Sequence, residues 1–175
     1  MLTIALPKGR IAEETLDKFE KAFGEKFIFE DRKLILEKAG FRFLNVRNQD
    51  VPTYVMHGAA DLGVVGLDVL EEKEYDLIKL LDLQLGRCKV AFGLRKGEKL
   101  DFNKSKITIA TKHEVIAKKF FEQKAMAVEI IKLYGSIELA PLVGLCDCIV
   151  DIVETGETMK QNGLEIGPTI MESSA

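Results

Sequence analysis

The order of apolar runs predicts an α/β fold in two lobes, and three observations carry that prediction. Short strand-like runs alternate with amphipathic stretches of helix length along most of the chain. The alternation breaks at Arg95–Asn103, a charged, glycine-containing stretch without periodicity, and then starts again. After Gly163, Leu164–Met171 reads as a return of the chain towards its first half. Residues 1–94 with 168–175 are therefore expected to form a first lobe and 95–167 a second. The cleft between two such lobes is the expected place for a ligand.

The elements follow in order. Leu2–Leu6 is a strand that ends at Pro7-Lys8-Gly9-Arg10. The next stretch carries Ile11, Leu16, Phe19 and Phe23 as one apolar stripe, with acids and lysines opposite, which predicts an amphipathic helix. Residues 27–47 are β-rich with a turn at Gly40, and Phe41–Arg47 alternates like a strand with one solvated face. Asp50 before Val51-Pro52 reads as a helix start, and His57-Gly58 as its stop. Ala60–Gly66 is a short buried strand whose Gly63 and Gly66 suggest close approach of the backbone to a neighbour or a ligand, and a helix starts at 68–73.

Tyr75–Leu85 is mostly apolar and is expected to include a strand, and Cys88–Leu94 is another. Beyond the break come a strand at Ile107–Ala110, a helix at Glu114–Gln123, a strand at Val128–Lys132 and a helix at Glu138–Leu145 with Pro141 in its first turn. The run Cys148–Val153 is short enough for a buried strand; Glu154–Thr158 is a turn, and a helix-like segment runs on to Gly163.

Composition excludes several classes. A net charge of −3 argues against non-specific nucleic-acid binding, so polyanionic ligands must be attracted by local charges and dipoles. No apolar run approaches a membrane span and no signal-peptide pattern is present, which predicts a cytoplasmic protein. Cys88, Cys146 and Cys148 lack metal-site spacing. They are expected to be small packing residues, the last two pointing to one face. His57 and His113 have no partner visible in the sequence.

Two stretches carry chemistry. Asp151 sits inside an apolar strand, where an unpaired carboxylate is costly, and the turn Glu154-Thr155-Gly156-Glu157-Thr158 follows at once. A strand running through a hydroxyl-rich, glycine-containing turn into a helix gathers backbone N–H groups and a positive helix end, which suits a phosphate monoester. The acid upstream suits sugar hydroxyls. The turn is not a Walker A loop, and without Asp151 it would read first as a capped helix after a strand. Lys8 and Arg10 flank Gly9 at a second strand–helix junction, which is either a cationic anion site or two surface charges at a turn.

Three separated stretches resemble a known family. LPKGR at Leu6–Arg10, NQDVPTYVMHGAADLGVVGLDVL at Asn48–Leu70 and GSIELAPLVGLCDCIVDIVETGETM at Gly135–Met159 are similar to ATP phosphoribosyltransferase, in the right order and over essentially the whole chain. The length resembles the short form, which lacks the C-terminal regulatory domain. The resemblance implies a two-lobed fold of the type II periplasmic-binding-protein kind, with the active site in the inter-lobe cleft. It implies a pentosyltransferase that joins N1 of the ATP adenine to C1′ of phosphoribosyl pyrophosphate (PRPP), releasing pyrophosphate with Mg²⁺ as cofactor, in the first step of histidine biosynthesis. It also implies self-association and a regulatory partner that resembles histidyl-tRNA synthetase.

Carried over by position, the resemblance assigns Thr155, Gly156, Glu157 and Thr158 to the PRPP 5′-phosphate, and Asp151 with Glu154 to the ribose hydroxyls. Lys8, Gly9 and Arg10 are assigned to ATP phosphates or pyrophosphate, and Arg47, Asp50, Gly66 and Asp68 to the first-lobe side of the site. Arg10 and Asp151 are the expected catalytic groups; the metal ligands are left open. The chain departs from the family at Cys146 and Cys148, where alanine is usual, and at His113-Glu114, where an aromatic residue and a proline are usual. It also stops at Ala175, earlier than a short form is expected to. The reading from another class is a non-catalytic cytoplasmic small-ligand binding module of the solute-binding type.

Overall fold

The computed structural model describes residues 1–175. The chain divides into two compact units, Met1–Arg87 with Ser174–Ala175 and Cys88–Ser173. No helix is long and apolar enough to cross a membrane.

The first unit is a four-stranded sheet with helices on both faces. Strand β1 (Leu2–Pro7) leads through Lys8-Gly9 into helix α1 (Arg10–Phe23). Strands β2 (Ile35–Lys38) and β3 (Phe41–Val46) form an antiparallel hairpin across Ala39-Gly40. Helix α2 (Val51–Met56), strand β4 (Leu62–Gly63) and helix α3 (Leu67–Lys73) follow, and the sheet order is β2-β3-β1-β4, with β3 and β4 both parallel to β1. Alternation along β1 decides the faces. Ile4 and Leu6 join Ala12 and Leu16 of α1, with Phe27 and Phe43, in one core; Ala5 joins Val51 of α2 and Ala60 in the other. Phe19, Phe27, Phe41 and Phe43 stack mainly edge to face, 5.1–6.2 Å between centroids, as aromatic quadrupoles prefer.

The second unit holds a five-stranded sheet in the order β7-β6-β8-β5-β9. Its strands are β5 (Cys88–Arg95), β6 (Ile107–Thr111), β7 (Val128–Lys132), β8 (Cys148–Val153) and β9 (Leu164–Ser173). Strands β7, β6 and β8 are parallel, whereas β5 runs antiparallel to both β8 and β9. Helix α4 (Glu114–Gln123) covers the face built from Val90, Phe92, Ile107, Ile109, Cys148 and Val150. Helices α5 (Leu139–Leu142) and α6 (Glu157–Gln161) cover the face of Ala91, Ala110, Ile149 and Val153.

Several sequence expectations change here. Both β5 and β9 are hydrogen-bonded into the second sheet, so the division falls at Arg87/Cys88 and Ser173/Ser174 instead of at 94/95 and 167/168. The aperiodic stretch after Arg95 is a loop inside the second unit. Tyr75–Leu85 forms no strand: Ile78, Leu80 and Leu81 are 87%, 71% and 76% exposed, and the segment's backbone ties to the rest through the Leu83 N–H to the Ala175 carbonyl and the Ala175 N–H to the Leu85 carbonyl. Apolar composition alone does not make a strand without a neighbour to pair with. Cys146 and Cys148 pack into opposite cores, because Cys146 precedes the strand and strand alternation does not govern it.

Candidate functional site

In each unit the candidate residues follow the C-terminal ends of parallel strands, where open α/β sheets place their ligands. In the first unit, β1 and β3 pair as far as Pro7 and Val46, and the Lys8 N–H donates to the Val46 carbonyl at 2.8 Å. Lys8 and Arg47 therefore leave neighbouring strands at the same level. Gly9 has φ 98° and ψ −154°, a region essentially confined to glycine, and lets the chain turn directly from β1 into α1. The Arg10 guanidinium lies 3.5 Å from Glu14 and stays 56% exposed, so this pair holds it only weakly.

Asp50 is exposed at the start of α2 and makes no capping hydrogen bond through its side chain. Gly66 takes an ordinary extended conformation before α3, and Asp68, in the first turn of α3, is only 4% exposed. A side chain on Gly63 would meet Val51 Cγ1 at 2.7 Å, so the close approach expected there is to helix α2. Of the first-unit candidates, Lys8, Gly9, Arg10, Arg47 and Asp50 are presented at the surface, whereas Gly66 and Asp68 are buried.

In the second unit Asp151 sits within β8, its side chain 13% exposed. It has partners that the sequence did not reveal. Lys112 Nζ lies 3.1 Å and His113 Nε2 3.7 Å from Asp151 Oδ1, and the Ile152 N–H donates to the same oxygen at 2.8 Å. The cost of a carboxylate in an apolar strand is thereby offset by an ammonium and a backbone donor. The signal for Lys112 was its place just after a strand parallel to β8, but strand pairing is not visible in the sequence.

The turn Glu154-Thr155-Gly156 follows β8, and Glu154, Thr155, Glu157 and Thr158 are exposed. Gly156 has φ 83°, and a Cβ there would stand 2.5 Å from Ile166 Cδ1. Thr155 Oγ1 accepts a long hydrogen bond of 3.4 Å from the Glu157 N–H, which shapes the turn. Helix α6 spans only five residues, so its macrodipole is small. The argument from a helix end is thereby corrected: what the turn offers an anion is its own N–H groups and hydroxyls. Helix α5 is likewise only four residues, with Glu138 as its N-cap.

The cysteines are chemically quiet. Burial raises the Cys146 thiol and pushes Cys148 up to about 12, so neither supplies a thiolate near neutral pH. No group of three or more His, Cys, Asp or Glu side chains is arranged to hold a metal ion.

The chain resembles known proteins over its whole length. The family model described as ATP phosphoribosyltransferase matches residues 47–175. An ATP phosphoribosyltransferase from Wolinella succinogenes is 71% identical over 175 residues, covering all of this chain and 85% of that one. The structure of the ATP phosphoribosyl transferase (HisG:HisZ) complex from Thermotoga maritima superposes with a TM-score of 0.83 at 40% identity, over 99% of this chain and 85% of that one. The substrate binding protein of an amino acid ABC transporter shares the fold, with a TM-score of 0.57 at 14% identity over 99% of this chain and 83% of its own. A type II periplasmic-binding-protein-like α/β architecture is thus common to both neighbours, and on the strength of the family match and the whole-chain identity, this chain belongs to the ATP phosphoribosyltransferase family.

Proposed function

We propose that the chain catalyses the first step of histidine biosynthesis, attack of adenine N1 of ATP on C1′ of PRPP with loss of pyrophosphate. The observation that carries this reading is Asp151 and the Glu154–Thr158 turn, together at the C-terminal end of β8, a strand parallel to β6, in a chain 71% identical throughout to an ATP phosphoribosyltransferase. The N1–C1′ bond forms as the bond from C1′ to the pyrophosphate oxygen breaks, and the electron pair leaves with pyrophosphate. Adenine N1 already carries its lone pair at neutral pH, so no strong general base is required. The remaining tasks are alignment of two polyanions and compensation of the leaving charge.

In this reading the second unit binds PRPP. Thr155, Gly156, Glu157 and Thr158 hold the 5′-phosphate through N–H groups and hydroxyls, and Asp151 and Glu154 accept from the ribose hydroxyls. The Asp151 carboxylate also favours the positive charge that builds on C1′ as pyrophosphate departs. The first unit supplies Lys8, Gly9 and Arg10 to ATP phosphates and pyrophosphate, with Arg47 and Asp50 beside them; the burial of Gly66 and Asp68 gives these two a positioning role. Arg10 compensates charge on the leaving group.

Mg²⁺ fits this donor set: Asp151 and Glu154 are hard oxygen donors, and an ion that keeps water and substrate phosphates as ligands needs no protein cage. Bound there, it would neutralise charge on the pyrophosphate. We place the reaction in the cytoplasm, with a self-associated catalytic chain in a hetero-oligomer with a synthetase-like regulatory subunit, supported by the HisG:HisZ complex among the structural relatives.

The test is formation of phosphoribosyl-ATP, followed by absorbance with ATP, PRPP and Mg²⁺, with and without that partner. Product is expected from the pair, and Asp151→Asn is expected to lose most of it while its thermal unfolding stays close to wild type. No product from folded wild-type chain under either condition would sink the assignment.

A further inference from the structure

The turn that joins β6 to α4 brings a cation into the ribose site. Thr111, the last residue of β6, pairs in register with Val150 of β8, so Lys112 and Asp151 stand level on the same side of the sheet. The Thr111 hydroxyl donates to the Val150 carbonyl at 2.6 Å and accepts from the His113 N–H at 2.9 Å. The residues on both sides of Lys112 are thus tied to one another and to β8. The contacts of Lys112, His113 and the Ile152 N–H with Asp151 all fall on Oδ1, and Oδ2 carries none of the three. Lys112 is the outer member of the pair, its side chain 35% exposed against 13% for Asp151.

We propose that Lys112 is a PRPP-binding cation that exchanges partners, resting on Asp151 in the ligand-free chain and turning to the pyrophosphate group as Asp151 accepts the ribose hydroxyls. The proposal rests on the reading of the chain as a phosphoribosyltransferase. An ion pair open to solvent is weak, and a polyanion is a stronger partner for an ammonium on a flexible four-carbon stem. The exchange also makes Lys112 selective. Ribose 5-phosphate offers hydroxyls and the phosphate for the turn but no second anion, so it leaves Lys112 competing for Asp151. PRPP removes that competition.

Calorimetric titration of the full chain with PRPP and with ribose 5-phosphate, in Mg²⁺, tests this on wild type, Lys112→Met and Lys112→Arg. Methionine is expected to weaken PRPP binding about 10- to 100-fold, the loss of one charge-assisted contact. It should leave ribose 5-phosphate binding unchanged or tighter, which also reports an intact site, and arginine should recover part of the PRPP affinity. Equal weakening of both ligands would reduce Lys112 to a support for Asp151 and overturn the proposal. PRPP binding unaffected by methionine would overturn it as well, while leaving the assigned reaction untouched. A wild-type chain that binds no PRPP would remove that assignment and this inference together.

Discussion

Asp151 and Gly156 show how single residues shape the end of β8 and the turn that follows it. Inside an apolar strand, an ammonium and an N–H converge on one oxygen of Asp151. Gly156 fixes the turn that follows, because its φ of 83° is unfavourable for any residue with a Cβ. We expect Gly156→Ala to lower stability by about 1–2 kcal/mol, the cost of a left-handed residue. Ile166 Cδ1, the tip of a partly exposed side chain, has room to move aside, so the added methyl should not unfold the unit. The turn's N–H groups shift with the backbone, so KM for PRPP should rise more than KM for ATP. Urea unfolding and the two KM values check this, and equal changes in both would mean that the turn does not hold PRPP. Asp151 stands out in the sequence as an acid among apolar residues, whereas Lys112 and His113 do not, because their partner is 39 and 38 residues away along the chain and one strand away in the sheet.

At the scale of elements, the two ends of the β6–β8 pair serve different purposes. The C-terminal end carries Lys112 and Asp151. The other end is a clamp: the Asp147 carboxylate accepts from Lys104 Nζ at 2.6 Å and from the Thr108 N–H at 2.8 Å, and the Asp147 N–H donates to the Thr108 carbonyl at 2.9 Å. A cavity of about 270 Å³ beside it is lined by Arg95, Lys104 and Lys106, each paired with an acid, Glu98, Asp147 and Glu129 respectively.

Burial works to raise the Asp147 carboxyl, but the hydrogen bonds from Lys104 and Thr108 outweigh it and hold the group below its ordinary value of 3.8. A depressed carboxylate contributes stability above the unfolded-state value and loses it as pH falls through the folded-state value. Asp147→Asn should therefore be less stable than wild type above about pH 5 and converge with it in acid. Urea midpoints across pH measure this, and a gap that stayed constant into acid would remove Asp147 from the linkage. Long periodic segments such as α4 and β7 were legible to the residue. The stop of α6 at Gly163 was legible as well, whereas α5 is shorter than Glu138–Leu145 because Gly144 breaks it with positive φ after a single turn.

At the scale of the molecule, the two units differ in how the chain builds them. The second is one uninterrupted segment, Cys88–Ser173, with a hydrophobic cluster on each face of its sheet. The first joins Met1–Arg87 with Ser174–Ala175, which hydrogen-bond to Leu67, Leu83 and Leu85. We expect the isolated segment 88–173 to fold and unfold cooperatively in urea, with dispersed amide resonances. A fragment that bound hydrophobic dye and melted without a sharp transition would show that the segment depends on the rest of the chain.

What the sequence determined was local. Apolar periodicity marked most strands and helices, the lone acid in an apolar run marked Asp151, and glycines marked both strand–helix turns of the candidate site. These signals lie within a few residues of one another, where spacing alone fixes which side chains share a face. Tertiary structure decided what depends on strand pairing. It drew β5 and β9 into one sheet, left Tyr75–Leu85 outside both sheets, placed Cys146 and Cys148 in different cores, and set Lys112 and His113 against Asp151. Pairing between strands distant in sequence is settled by which faces the whole chain can bury together, and no short stretch contains that information.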